Sequence, residues 1–225
     1  MMSKAVLFGS IGTLIETSEF QRRAFNQAFL EAGLVWNWDS CTYRNMLTKS
    51  GGRERIQSFA HKCGVDVDVS QLHQRKTEIF NKLMIQETIP LRPGVFSVIS
   101  YAKDHNLKLG FVTTTSNANV DAVFCAAGDQ LVRADFNFIG NGTMVSKSKP
   151  SPDIYQKLLS DLYLDAQDCI AIEDTAISMK AALSANINCI AFPGAFAKEN
   201  DFNGALIVTS NLSPRHLRNN DKKSM

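Results

Sequence analysis

Short apolar runs alternate with helical stripes along this chain. The first run, AVLF at Ala5–Phe8, breaks at Gly9. A strand that is apolar on every residue fits burial on both faces, as in a parallel sheet. Comparable runs recur at 107–113 (LKLGFVT), 136–139 (FNFI), 169–172 (CIAI) and 189–192 (CIAF), with a sixth at 205–208 (ALIV). Between them the period becomes helical. Val95, Val98, Ile99 and Ala102 share one face, and Val120, Val123, Phe124 and Ala127 share another, ended by Gly128. Ile154, Leu158, Leu159 and Leu162 form a third stripe, with Ser151 and Pro152 expected as N-cap and first helical residue. Ile177, Ala181, Ala182 and Ala185 form a fourth, begun by Thr175. This alternation predicts an α/β fold, a doubly wound, Rossmann-like parallel sheet with helices on both faces.

Residues 17–88 break the alternation and read as consecutive helices. Phe20, Ala24, Ala28, Phe29 and Ala32 make a stripe, with Thr17 or Ser18 as N-cap and Gly33 as the stop. Tyr43, Met46 and Leu47 predict a short second helix. Ile56, Phe59, Ala60 and Cys63 predict a third, stopped by Gly64. Leu72, Ile79, Phe80 and Leu83 predict a fourth, capped by Ser70 and ended before Pro90. The chain is therefore assigned a core at 1–15 and 90–225, with an all-helical cap inserted at 16–89.

Composition narrows the class without naming a function. Of 225 residues, 44% are hydrophobic and 20% charged, enough for a real core, which excludes disorder and collagen. The formal charge of +2 gives no sign of a nucleic-acid arm. No apolar run approaches the ~18 residues of a membrane helix, and the run at Ala5–Phe8 is too short for a secretory signal, so the expected location is cytoplasmic. Cys41, Cys63, Cys125, Cys169 and Cys189 are odd in number, widely spaced and free of CxxC pairs; they are expected to be buried free thiols. His61, His73, His105 and His216 show no ligand spacing, and the tail 219–225 (NNDKKSM) is expected to fray.

Candidate chemistry gathers at strand ends, where open parallel sheets bind ligands. The first strand runs into GSIGT at 9–13, and the second ends in TTTS at 113–116. KPSPDIY at 149–155 opens a helix, and EDT at 173–175 ends the fourth strand. This set resembles the haloacid-dehalogenase (HAD) superfamily of phosphotransferases, in the subfamily with a helical cap after the first strand. TLIET at 13–17, RAFN at 23–26, WNWD at 36–39 and GGRERI at 51–56 bring it nearer to β-phosphoglucomutase and, more closely, to CbbY-type sugar-bisphosphate phosphatases.

The resemblance implies a D-x-D-G-T loop, whose first carboxylate attacks phosphorus while its second protonates the leaving group. Here Gly9 and Ile11 stand at those two positions, so neither role has a titratable atom and no catalytic residue is expected. Ser10 is the only candidate stand-in within the loop; an extended segment would point it away from the site of positions 9 and 11, and no adjacent base is evident to activate it. Glu16 and Asp39 offer no obvious replacement. The resemblance assigns Thr113, the Thr114 N–H and Lys149 to phosphate. The alternatives are a hydroxyl that satisfies its own strand end and a solvated lysine. With no acid at position 9, Lys149 is expected to face a less negative site that an anion enters more readily.

Glu173 and Asp174 match the acidic pair that contacts Mg²⁺, or else are helix N-terminal charges; without a co-ligand at position 9, Mg²⁺ binding is expected to be weak or absent. Arg53 matches the cap residue that contacts a distal phosphate, or is a solvated charge. Trp36 and Trp38 are expected to pack the cap rather than to stack on a sugar. Ser178 and Asn186 stand where the family usually has glycine, and Asn tolerates the left-handed backbone of a helix end. Three functions follow as expectations: a catalytically silent binder of a phosphorylated sugar or regulatory partner, an active phosphatase with a non-standard mechanism, or a protein-interaction subunit with a relic cleft.

Overall fold

A strand with no polar side chain needs apolar cover above and below, and the first strand has both. The computed structural model describes residues 3–9, 11–47 and 51–217. Strand β1 (Ala5–Phe8) turns Val6 and Phe8 into one apolar cluster and Ala5 and Leu7 into another. It is followed by α1 (Ile11–Leu14), then by α2 (Ser18–Glu31), α3 (Ser40–Met46), α4 (Gly52–Cys63) and α5 (Val69–Gln86). The alternating part continues with α6 (Val95–Asp104), β2 (Lys108–Phe111), α7 (Asn117–Ala127), β3 (Phe138–Ile139) and α8 (Asp153–Leu162). It ends with β4 (Cys169–Glu173), α9 (Ala176–Ser184), β5 (Asn188–Ala191) and β6 (Ile207–Val208).

The sheet order is β3-β2-β1-β4-β5-β6, parallel throughout. Strand β1 is central, with Phe8 level with Phe111 of β2 and Ile172 of β4. The ends of β1, β2 and β4 therefore open side by side, at the reversal of strand order. Helices α6 and α7 cover one face; α8 and α9 cover the other. The expected α/β architecture is present, and each expected apolar run overlaps a strand.

The chain leaves the sheet at Ile15 and returns at Leu91, and these two residues form an antiparallel bridge. The helices between them share one uninterrupted apolar cluster with a face of the sheet, from Trp36 and Trp38 through Phe80 and Met84 to Val120 and Phe111. Trp36 and Trp38 are packed in the cap as expected. Trp38 is fully buried, 4.8 Å from the Phe25 ring and 4.7 Å from Phe29.

Local details differ from the sequence reading. Helix α5 starts at Val69 and is capped by Asp68, which accepts from Gln71 N at 2.9 Å; Ser70 lies inside the first turn. Thr17 occupies the cap position of α2 without a side-chain cap bond, and Glu16 accepts from Ser18 N at 2.9 Å instead. Helix α8 begins at Asp153, whose carboxylate pairs with the Ser151 hydroxyl. Residues 11–14 are a helical turn, so the extended geometry expected there fails at Ile11; Ser10 lies outside the described residues. Cys41, Cys63 and Cys125 are exposed, contrary to expectation, while Cys169 and Cys189 are buried; all five are free. Asn186 takes the left-handed backbone, φ 59°. The tail 219–225 also lies outside the described residues.

Candidate functional site

Gly9 follows the last residue of β1, with its N–H donating to the Ile172 carbonyl of β4 at 2.9 Å. No side chain leaves the backbone here, and the space is not empty. A Cβ built on Gly9 would fall inside the van der Waals envelope of the Glu173 carboxyl carbon and both its oxygens. Glu173, the last residue of β4, is fully buried and turned into that gap.

Two groups hold it there. Lys149 Nζ donates to Glu173 Oε1 at 2.6 Å, and the Tyr155 hydroxyl donates to the same oxygen at 2.6 Å. Lys149 also donates to the Val112 carbonyl at 2.7 Å and to the Gly9 carbonyl. Glu173 Oε2 is buried with no hydrogen-bond partner among the described residues. Burial pushes the Glu173 carboxyl up to about 7, against the pull of the Lys149 charge, and burial also raises the Tyr155 hydroxyl well above its ordinary value. Glu173 is the carboxylate that pairs with Lys149, with no second acid at position 9. An ammonium has three protons, and three protein acceptors take them.

Thr113 lies buried just past β2, and its hydroxyl accepts from Thr115 N at 3.2 Å, the strand-end role. Thr114 is half-buried beside it. Asn119 Nδ2 donates to the Thr115 hydroxyl at 2.7 Å, which ties the start of α7 to this loop. Asp174 is half-buried ahead of α9, whose cap is Thr175, accepting from Ser178 N at 3.2 Å as the sequence predicts.

The cap contributes positive charge. Gly51, at φ 96°, leads into α4, where Arg53 is exposed. Arg55 on the next face has a buried Nε without a hydrogen-bond partner among the described residues; its guanidinium lies 5.8 Å from the Tyr43 ring and 6.0 Å from Phe25. Lys76 of α5 is buried 4.7 Å from the Phe25 ring and 5.0 Å from Phe80, and it donates to Gln21 Oε1. Burial lowers Lys76 to about 7 and His73 to about 4, with the Arg55 charge adding to both. The Tyr43 ring beside Arg55 is 5.9 Å from Phe196, in the loop after β5. That loop also carries Gly194, where a Cβ would lie 3.8 Å from Asp174 Oδ2, so the loop approaches both the cap helix α3 and the end of β4.

The family model described as haloacid dehalogenase-like hydrolase matches residues 6–192. The chain belongs to this family. Among its relatives, protein CbbY of Cereibacter sphaeroides is 41% identical over 207 residues, covering 91% of this chain and 90% of that protein. The crystal structure of CbbY from Rhodobacter sphaeroides in complex with phosphate superposes with a TM-score of 0.84 at 38% identity, covering 93% of this chain and 95% of the other. A mutant of that CbbY in complex with xylulose-(1,5)bisphosphate gives 0.82 at 37%, with the same coverage.

HAD chemistry implies Mg²⁺, a hard cation that seeks carboxylate oxygens. The side chains of this HAD chain do not fit it. Among the described residues, no three His, Cys, Asp or Glu side chains are grouped to hold a metal, and Glu173 Oε1 already accepts from Lys149 and Tyr155.

Some site residues escaped the sequence reading. Lys76 had a visible signal, since 72, 76, 79 and 80 follow helical spacing and place it on the apolar stripe of α5. Arg55 and Tyr155 lie inside quoted motifs with no feature that separates them from their neighbours. The approach of Glu173 to Gly9 joins residues 164 positions apart and leaves no trace in local pattern.

Proposed function

We propose that this chain is a catalytically silent HAD-family protein that binds a phosphorylated sugar between the strand ends and the cap. The carrying observation is the end of β1. Position 9 has no side chain, its side-chain volume is filled by Glu173, and position 11 is isoleucine. An aspartyl-phosphate route needs an oxygen nucleophile and a proton donor there.

Binding is supported by what remains. In this reading the cap is residues 16–89 and the core 1–15 with 90–225. The Thr113 hydroxyl and the Thr114 N–H take one phosphate at the end of β2. Lys149 stiffens the floor beneath them. Arg53, with Arg55 and Lys76 behind it, takes the distal phosphate, because buried or half-buried cations without a carboxylate partner gain most from an incoming anion. Relatives bound to phosphate and to a sugar bisphosphate favour this ligand class.

The test pairs binding with turnover. A sugar bisphosphate should raise the melting temperature of the natural protein, and Arg55→Ala or Thr113→Val should remove most of the shift. A phosphate-ester panel should give no release of phosphate above buffer. Turnover that is lost in Lys149→Ala overturns silence; absence of any shift across the panel overturns sugar-phosphate binding.

A further inference from the structure

We propose that the outer face of α2 is a self-association surface, on which a second copy of this chain docks with its own α2 antiparallel about Gln27. The inference goes beyond the sugar-phosphate reading and does not rest on it, because no ligand enters its test.

Three observations carry it. First, apolar side chains stand in water beside an apolar hollow. Leu30 is 69% exposed and Val35 99%, and both border an open hollow of about 520 Å³ that Trp36, Ile79 and Leu83 also line. Knob and hole thus share one patch, as an isologous contact requires, where each copy gives and receives the same group. Second, the exposed side of α2 carries opposite charges at its two ends. Arg23 and Glu31 lie about 12 Å apart along the helix axis, with Gln27 midway, and all three are exposed. Past Leu34 the negative end continues into a second hollow, walled by Glu31, Asp66 and Asp68 with Arg75. A two-fold axis at Gln27 sets Arg23 of each copy against Glu31 of the other, so both cross-pairs attract; a parallel pairing would set like charge against like. The same axis brings Leu30 of each copy level with Ala24 of the other, within the span of the hollow, which follows α2 from Arg23 to Leu30. Third, both charges are able to take a new partner. Arg23 reaches Glu87 at 3.5 Å with both side chains about half exposed, a pair that holds little energy. Glu31 accepts from Arg75 on Oε2 at 2.6 Å and from Gln27 on Oε1 at 3.1 Å, and a carboxylate has lone pairs for a further donor.

A charge exchange between copies tests the pairing. Sedimentation equilibrium of the natural protein between about 1 µM and about 500 µM should show the mass rising from one chain towards two, and added NaCl should move the rise to higher concentration. Leu30→Asp, at a position the core does not use, should keep the melting temperature and hold the chain monomeric. Arg23→Glu and Glu31→Arg should each weaken association by about tenfold or more, because both cross-pairs become like-charged. Mixed in equal amounts, these two variants should associate again, since a mixed pair regains opposite charges at both ends. A single-chain mass at every concentration overturns the proposal. So does a dimer that Leu30→Asp leaves intact, and so does an equal mixture of the two charge variants that stays monomeric.

Discussion

Lys76 and Glu173 are buried ionisable residues whose charges respond to pH in opposite directions. Burial lowers the Lys76 ammonium from 10.5 to about 7, with Arg55 adding to the shift. Between these values the unfolded chain binds the proton more tightly than the folded one, so stability should rise with pH above about 7. Urea melts at about pH 7 and about pH 8.5 should show that rise, and Lys76→Met should flatten it. Glu173 is raised from 4.5 to about 7, so its contribution is present below 4.5 and lost as pH climbs through 7. His73, lowered from 6.5 to about 4, has the reverse slope over much of that range and partly offsets it. Above about 9 the Cys169 and Cys189 thiols, raised by burial, oppose the Lys76 rise, so the clean window is between about pH 7 and pH 8.5. An anion that reaches Lys76 restores its charge, so binding of a sugar bisphosphate near pH 8 should take up a proton. Calorimetry in buffers of different ionisation enthalpy measures that uptake, and a buffer-independent heat would exclude Lys76 from the ligand's surroundings.

At the level of elements, the α5 start separates residue type from residue position. Asp68 and Ser70 are both good N-cap residues, and the extended backbone at Asp68 (φ −72°, ψ 93°) selects the first. Asp68→Ala should cost about 1 kcal/mol in denaturant unfolding, whereas Ser70→Ala should stay within about 0.5 kcal/mol. This is the limit of what sequence resolves. The strands were legible because AVLF and CIAI are apolar on every residue, and the cap because stripes such as Ala24, Ala28 and Phe29 keep a helical period. Choices between neighbours two residues apart depend on backbone angles and were not legible. The emptiness of positions 9 and 11 could be read directly, residue by residue. What fills position 9 could not, because Glu173 reaches it only after β1 and β4 pair. The helical turn at Ile11–Leu14 was hidden in the same way. Its buried members Gly12, Thr13 and Leu14 carry no helical stripe of their own.

Across the whole molecule, the cap is tied to the sheet at several points. Arg92 follows the return strand-bridge, stacks 3.6 Å from the Phe192 ring, and donates to the carbonyls of Gly12, Phe192 and Pro193. Glu16 accepts from Ala195 N at 2.6 Å, so both crossings between cap and core are fastened to the loop after β5. Arg92→Lys keeps the charge but loses the planar fork, and should cost about 2 kcal/mol in urea unfolding. Phe196, 5.9 Å from Tyr43, extends the same loop onto α3, where Arg44 lies 3.6 Å from Glu199. Phe196→Ala should speed amide hydrogen exchange in α3 while leaving β1 and β4 protected; equal protection in α3 would show that the loop does not hold the cap. The gap at Gly9 also bears on any attempt to install an acid there. A side chain restored at position 9 would oblige the Glu173 carboxylate to shift, because the two overlap as Glu173 now stands.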